Sequence, residues 1–433
     1  WDDYWNVSTA YGALPPFAWD LTTAEWSLIP TGLLWVDEIV YSFYTPPDGG
    51  YNCMPWLNAL ADKLYRAGTQ TLDPSVRRTN LLKWQEVFMH DPPVINMFYC
   101  QMYECTAAYV EGWEPTVWYY DVSHFGINKT KFNEVVPVGS TRWNIGNDTL
   151  LYAIGAPIWG FNPLFTLTYS EEMMRALTHD NLYVCTKTWN DTERDYVRGP
   201  EGFYTRPELA AGPIKWLTGP NGPNTRARIP LRQGVLWSDG VPFNATDVKF
   251  TYDLVIYRPT KCWAYCDYKH IIQSVEIVNA TCVDLILYTP YYDLENVLSS
   301  DWGVQILPWH QLKDVDPTAL NGHISNTNPY YLVGTGPYLV ESYTSGVEIV
   351  FKRNPLHFGY SLGWGPHVSK IILKWIPDAA TRLLSLQNFG VDFGEYPLAP
   401  VKTWVDMATK EPWINTHKVW TYLYHGTHPL WMN

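Results

Sequence analysis

RIPLRQGVLWSDGVPFNATDVKFTYDLVIYRP, residues 228–259, decides the fold class, because several independent local signals agree across it. Ile229, Leu231 and the Val235-Leu236-Trp237 run predict an extended strand. Asp239-Gly240 stops it, since glycine enters positive φ at no steric cost. Pro242 and Asn244 keep the next residues out of a helix, Thr246 offers a hydroxyl as N-cap, and Asp247 sits where the helix dipole favours negative charge. A helix therefore follows, with Val248, Tyr252, Val255 and Ile256 on one face and Phe250, Leu254 and Tyr257 thickening that stripe, until Pro259 ends it. A strand, a turn and a buried, capped helix belong to an α/β scaffold and are not in themselves an active site.

Outward from this stretch, the composition sets limits. A chain of 433 residues and 49.9 kDa favours two or three lobes over one. With 16% aromatic against 17% charged residues, including 23 Trp and 31 Tyr, it is ordered and globular. A net charge of −13 without a Lys/Arg cluster argues against nucleic acid as a partner. No run of eighteen apolar residues occurs, so a signal or anchor segment is expected to be processed away or to lie outside this sequence.

Six N-x-S/T sequons, at Asn6, Asn128, Asn147, Asn190, Asn244 and Asn279, exceed the roughly three expected by chance and point to an exported, glycosylated protein. For the seven cysteines (Cys53, Cys100, Cys105, Cys185, Cys262, Cys266, Cys282), local Cys100–Cys105 and Cys262–Cys266 disulfides, free buried thiols and a metal site all stay open. No H-E-x-x-H, G-x-S-x-G or P-loop pattern is present; Gly334-x-Gly336 lacks the helix start that would make a phosphate site. Acid pairs that might suggest a glycosidase, Asp2-Asp3, Glu171-Glu172 and Asp314/Asp316, read as solvated. The chain is therefore expected to bind rather than catalyse, without a cofactor and without a metal.

In chain order, Leu57, Leu60, Ala61 and Leu64 begin a helix; a second, after Asp73-Pro74, carries Val76, Leu81, Trp84, Val87 and Phe88. Val94–Tyr103 reads as a strand, residues 121–150 as a polar connector, and Leu151–Phe165 as a strand with an Asn162-Pro163 step. Val278–Asp293 reads as one alternating strand, and Trp302–His310 as another. Gly334–Pro355 reads as a strand, a Ser345-Gly346 turn and a second strand with Val347, Ile349 and Phe351 on one face. Pro377–Tyr396 reads as a helix and then a short strand.

The sequence LRQGVLWSDGVPFNATDVKFTYDLV resembles the signature of extracellular solute-binding proteins of ABC importers, the peptide, dipeptide and nickel class, through Leu231, Arg232, Gly234, Val235, Asp239, Gly240, Pro242, Asp247 and Val248. GTGPY at 334–338 and the Gly390-Val391-Asp392 step are similar to that family too, and so are Asp73, Arg77, Gln85, Pro93 and Gly112, which fall on marks near its C-terminus. The resemblance implies a type II periplasmic-binding-protein-like α/β fold of two lobes with mixed sheets. Its segments stand in rotated order: a C-terminal-like segment at 1–135 packing on lobe I, lobe I at 136–375, and the start of a truncated lobe II at 376–433. It further implies capture of an oligopeptide or oligosaccharide by lobe closure, outside the cytoplasmic membrane and beside a membrane ABC permease. By family position the ligand-binding residues would be Trp159, Phe161, Asn162, Tyr51, Asn52, Trp302, Trp431 and Asn433. The competing expectation is a self-assembling surface-layer or filament subunit on the same scaffold.

Overall fold

Among the described residues nine strands join in one sheet, and all six residues of a central strand, Thr149–Ile154, are buried. A strand covered on both faces needs a continuous apolar run, which TLLYAI supplies. The computed structural model describes residues 21–23, 26–27, 56–92, 94–112, 125–158, 160–165, 169–186, 188–190, 195–197, 204–257, 268–299, 304–320, 332–394 and 400–432. For 21–23, 26–27, 94–104, 165, 169, 172, 185–186, 188–190, 195–197, 204–205 and 421–432 it describes the backbone alone.

The elements used below are, in chain order, β1 (Leu21–Thr23), β2 (Trp26–Ser27), α1 (Ala59–Thr69), α2 (Pro74–His90), β3 (Val94–Ala107), α3 (Lys129–Val135), α4 (Thr141–Ile145), β4 (Thr149–Ile154) and α5 (Tyr169–Thr178). They continue with β5 (Lys215–Gly219), β6 (Gly222–Pro230), α6 (Ala245–Ile256), β7 (Ile272–Asn279), β8 (Cys282–Leu287), β9 (Tyr338–Thr344), β10 (Glu348–Arg353), β11 (Lys370–Trp375), α7 (Ala379–Gln387), β12 (Phe393–Gly394), α8 (Val401–Thr409) and β13 (His417–Met432). The large sheet runs β1–β13–β3–β12–β4–β11–β10–β9, with β2 also on β13, and β5–β6–β8–β7 form a separate four-stranded sheet. Around β4 the pairing is parallel, to β11 and β12; elsewhere in both sheets it is antiparallel. The α/β class with mixed sheets is thus what the sequence implies.

The large sheet combines distant parts of the chain. β3 reaches β4 through the two residues of β12, where Phe393 faces Thr106 on one side and Tyr152 on the other. Asp392, just before β12, fixes this junction. Its carbonyl accepts from Ala107 N and its own N–H donates to the Leu151 carbonyl, each at 2.8 Å. Its carboxylate accepts from Leu151 N (2.8 Å), from Arg142 Nε (2.6 Å) and Nη2 (3.0 Å), and from the Tyr109 hydroxyl. Arg142 spends its remaining donors on the Gly146 and Thr149 carbonyls and lies over the Phe132 ring at 4.7 Å. Burial works against the Arg142 charge, but the field and hydrogen bonds of Asp392 outweigh it and raise the guanidinium pKa. Burial, with the negative Asp392 beside it, also pushes the Tyr109 hydroxyl pKa up. The polar connector of the sequence reading is in fact the site of α3 and α4, with Arg142 at 2% exposure.

A second contact ties the first segment down. Asp73 caps α2, and Arg77 one turn on pairs with Asp293 at 2.5 Å while covering the Tyr292 ring. The α1–α2 pair buries Ala61, Tyr65 and Trp84; Leu57, Leu60 and Val76, expected on its apolar face, are exposed.

Other expectations need correction. The strand at 229–237 ends at Pro230, because Gly234 at φ 77° turns the chain, and beyond it only isolated bridges form, at Leu231 and Leu236. The cap of α6 is Asn244, not Thr246: its side chain accepts from Thr246 N (2.8 Å) while Asp247 accepts from Asn244 N (2.9 Å), a capping box. Tyr257 lies past the helix and is exposed. Val278–Asp293 is not one strand: Asn279 Oδ1 takes both Thr281 N and Oγ1, and β7 turns there into β8. Val347 belongs to the hairpin turn and is exposed, leaving Ile349 and Phe351 on the buried face. Cys105 is a free, buried thiol, so the Cys100–Cys105 disulfide is excluded; five residues of one extended strand span about 17 Å, far beyond a disulfide.

Replacing Arg142 by Met strands a buried carboxylate, and chemical unfolding should show a loss of about 3–5 kcal/mol. Adding Asp392→Asn should restore part of that loss. A single-variant loss under about 1 kcal/mol would mean the pair does not hold the junction.

Candidate functional site

The faces of β4 point to opposite covers. Leu150, Tyr152 and Ile154 share a core with Met173, Met174 and Leu177 of α5, whereas Leu151 and Ala153 pack with Leu386 of α7 and with Trp404 and Met407 of α8. The chain leaving β4 therefore turns to one face and the chain leaving its parallel neighbour β11 to the other. That divergence opens a crevice at the carboxyl ends of the two strands, the place where open α/β sheets take ligands.

A small recess, open to solvent on one side, lies there. Ile154, Ile349 and Leu373 form its floor, and Ile158, Tyr343 and Trp375 its sides. Ile154 and Trp375 are register partners, as are Ile349 with Leu373 and Tyr343 with Ile349, so pleat alternation puts these side chains on one face. Lys374 falls on the other face, and its register partner Glu348 borders the recess at the hairpin turn. The Trp375 indole donates to the Gly155 carbonyl at 3.2 Å, which fixes its ring. Gly346, in the turn between β9 and β10, has φ 70°, and a Cβ there would stand 3.1 Å from that ring; both reasons demand glycine. The loop after β4 is held from behind: Glu171 accepts from Gly160 N (3.0 Å) and Phe161 sets its edge on Tyr343 at 5.2 Å.

Beside the recess runs a seam between the two sheets. Thr178 ends α5, and the GTG motif lies on it: Gly336 N donates to the Thr178 carbonyl (3.0 Å), and a Cβ at Gly334 or Gly336 would collide with that peptide group. The two glycines serve close backbone approach, not phosphate. His179 follows, fully buried, with Nδ1 2.9 Å from Thr178 Oγ1; burial pushes its pKa down to about 4. Across the seam, Asp247 of α6 accepts from Trp309 N (3.0 Å) and Asp239 from His310 and Gln311 (each 2.9 Å). The signature turn and helix start thereby hold the end of the Trp302–His310 segment.

Of the residues expected to touch ligand, Phe161 and Asn162 lie at 4% and 2% exposure behind the recess, and Asn162 Oδ1 accepts from Leu164 N. Trp431 is placed by its backbone in β13, opposite Val94 and Thr22. Tyr51, Asn52, Trp159, Trp302 and Asn433 are outside the described residues. Of the sequons, Asn128 caps α3 and is exposed, with its Nδ2 donating to Glu111. Asn147 is half-buried before β4, Asn244 caps α6, and Asn279 is exposed at the β7–β8 turn. Asn190 is described by its backbone alone and Asn6 not at all. Glu171, read as solvated, is buried at 1% because it ties the Gly160 loop. Sequence reading missed Tyr343 and Trp375; the signal for Trp375 is its place at the end of the alternating KIILKW strand.

Among the described residues no group of three or more His, Cys, Asp or Glu could hold a metal, and no helix is long and apolar enough to cross a membrane. The family model of bacterial extracellular solute-binding proteins, family 5, middle part, matches residues 206–433, just over half of the chain. The chain belongs to this family. It is 33% identical over 167 residues to protein XP55 of Streptomyces lividans, covering 39% of this chain and 28% of that protein. It is 28% identical over 165 residues to the glutathione-binding protein GsiB of Salmonella typhi, covering 38% and 30%. The chain thus spans less than a third of these curated relatives. Among solved structures, the oligopeptide-binding protein AppA of Bacillus subtilis in complex with a nonapeptide is 22% identical, with a TM-score of 0.48 over 59% of this chain and 45% of that one. The matched region starts ahead of β5 and includes the signature helix, the GTG seam, β11 and β12, while β3 and β4, which complete the sheet, precede it.

His179 gives a solution-state test. Its folded pKa near 4 lies below the ordinary 6.5, so between these values the unfolded chain binds the extra proton, and stability falls as pH drops from 6.5 towards 4, by about 3 kcal/mol in all. The lowered pKa of buried His417 acts in the same direction. In unfolding curves across that window His179→Gln should show a visibly shallower decline than the parent protein; superimposable slopes would contradict the buried, neutral imidazole.

Proposed function

We propose that this chain is the ligand-capturing part of an extracellular solute-binding protein that takes an oligopeptide or an oligosaccharide, closes its lobes around it and presents it to a membrane ABC permease. The observation that carries this reading is the family match across 206–433, in a chain whose crevice at the carboxyl ends of β4 and β11 is apolar at its base. Capture of this kind needs rigid apolar platforms and few charged groups, and a ring fixed as Trp375 is fixed makes such a platform at low entropic cost. Closing two lobes on a ligand is hinge motion, driven by the ligand's differential affinity for the closed state. Trp159, Trp302, Tyr51 and Asn52 remain proposed contacts by family position. No observation favours the surface-layer or filament alternative.

Purified protein titrated calorimetrically with di- to hexapeptides and with oligosaccharides should show saturable binding to at least one of them, and each ligand should be recovered unchanged. Saturable hydrolysis, or no binding across both series, would contradict the proposal.

A further inference from the structure

We infer that the recess between β4, β11 and the β9–β10 hairpin is a subsite for one apolar side chain of a bound peptide; this rests on the peptide form of the reading above and narrows it. The floor of Ile154, Ile349 and Leu373 offers aliphatic carbon only. Strand pairing already engages the backbone N–H and C=O groups of Ile349 and Leu373. The Trp375 indole N–H is taken by the Gly155 carbonyl. Pleat alternation carries Lys374 to the opposite face, while Thr344 and Glu348 border the recess at the hairpin turn.

These features select among ligand chemistries. A sugar ring carries hydroxyls around its whole edge, and seating it here would strip water from them without giving partners in return. An Asp or Glu side chain would lose its hydration and meet the like charge of Glu348 at the rim. A Leu, Ile, Met or Phe side chain meets neither cost and can lay its carbon on this aliphatic floor. The placement agrees: the recess lies at the switch point of the parallel strands, and the exposed Val347 stands at its mouth. Gly346 is what lets the hairpin turn approach the Trp375 ring without filling the space.

The test is calorimetric titration of the protein with Ala-Leu-Ala, Ala-Phe-Ala, Ala-Gly-Ala and Ala-Lys-Ala, repeated with Val347→Asp, which alters an exposed turn position and leaves the core intact. In parallel, 1-hexanol is followed by NMR as a probe that does not depend on peptide recognition. The Leu and Phe peptides should bind about ten- to hundredfold tighter than the Gly peptide, Val347→Asp should bring that ratio close to one, and 1-hexanol should perturb the parent protein but not the variant. Peptides that bind without an apolar preference, or with a preference untouched by Val347→Asp, would overturn the subsite and leave the peptide reading standing. If no peptide binds while 1-hexanol does, the assignment to a peptide side chain falls together with the peptide reading. Silence from both probes overturns the recess as a binding site.

Discussion

The carboxylate of Asp392, buried against Arg142, is the constraint on which the rest of the structure depends. Two opposite charges taken out of water cost several kcal/mol each, and the pair is viable only because its remaining hydrogen-bonding capacity is used. Here it is: Asp392 also accepts from Leu151 N and the Tyr109 hydroxyl, and Arg142 also serves two carbonyls. Main-chain bonds from Asp392 reach Ala107 on one side and Leu151 on the other. A shift of β12 by one residue would swing the carboxylate to the opposite face and leave the guanidinium buried and unpaired. The pair therefore sets register between stretches of chain some 250 residues apart.

From that register the site follows. With β12 on one side of β4 and β11 on the other, all three parallel, the connections that leave β4 and β11 pass to opposite faces, and the crevice forms between them. The GTG segment lies directly on Thr178 at the end of α5, which its glycines permit, and the Gly334 carbonyl accepts from Ser238 N of the signature turn. The capping box of α6 and the Asp239 turn hold the neighbouring Trp309 and His310. Signature residues of the family thus act here mostly as joints between layers, and the apolar recess is what those joints leave open.

Much of this was legible in the sequence because it is local. Helices α2, α6 and α7 announce themselves by a proline- or cap-marked start and apolar periodicity, although the α6 cap itself reads as Thr246 rather than Asn244, and the β9–β10 hairpin by Ser345-Gly346. The Gly390-Val391-Asp392 step was noticed through resemblance, but not its partner: Arg142 stands in a stretch whose polarity reads as loop, and only the tertiary fold shows that its charge is buried. The same limit hid Glu171, whose role depends on Gly160 eleven residues earlier. It also hid β13, in which glycine and proline break the alternation that marks a strand and which is held by pairing with β3. Trp375 cannot be recognised from the sequence as part of the site, because only its register partner, Ile154, places its ring at the recess.

Native-state hydrogen exchange read by mass spectrometry tests most directly that the family-matched region and the segments before it form one body. Amides of β3 at Cys105–Ala107, of β4 and of β11 should exchange with one common opening free energy, and Arg142→Met should lower all three together. If β3 instead opens well below β4 and β11, with a protection that does not respond to Arg142→Met, the shared sheet and the site built on it would be contradicted.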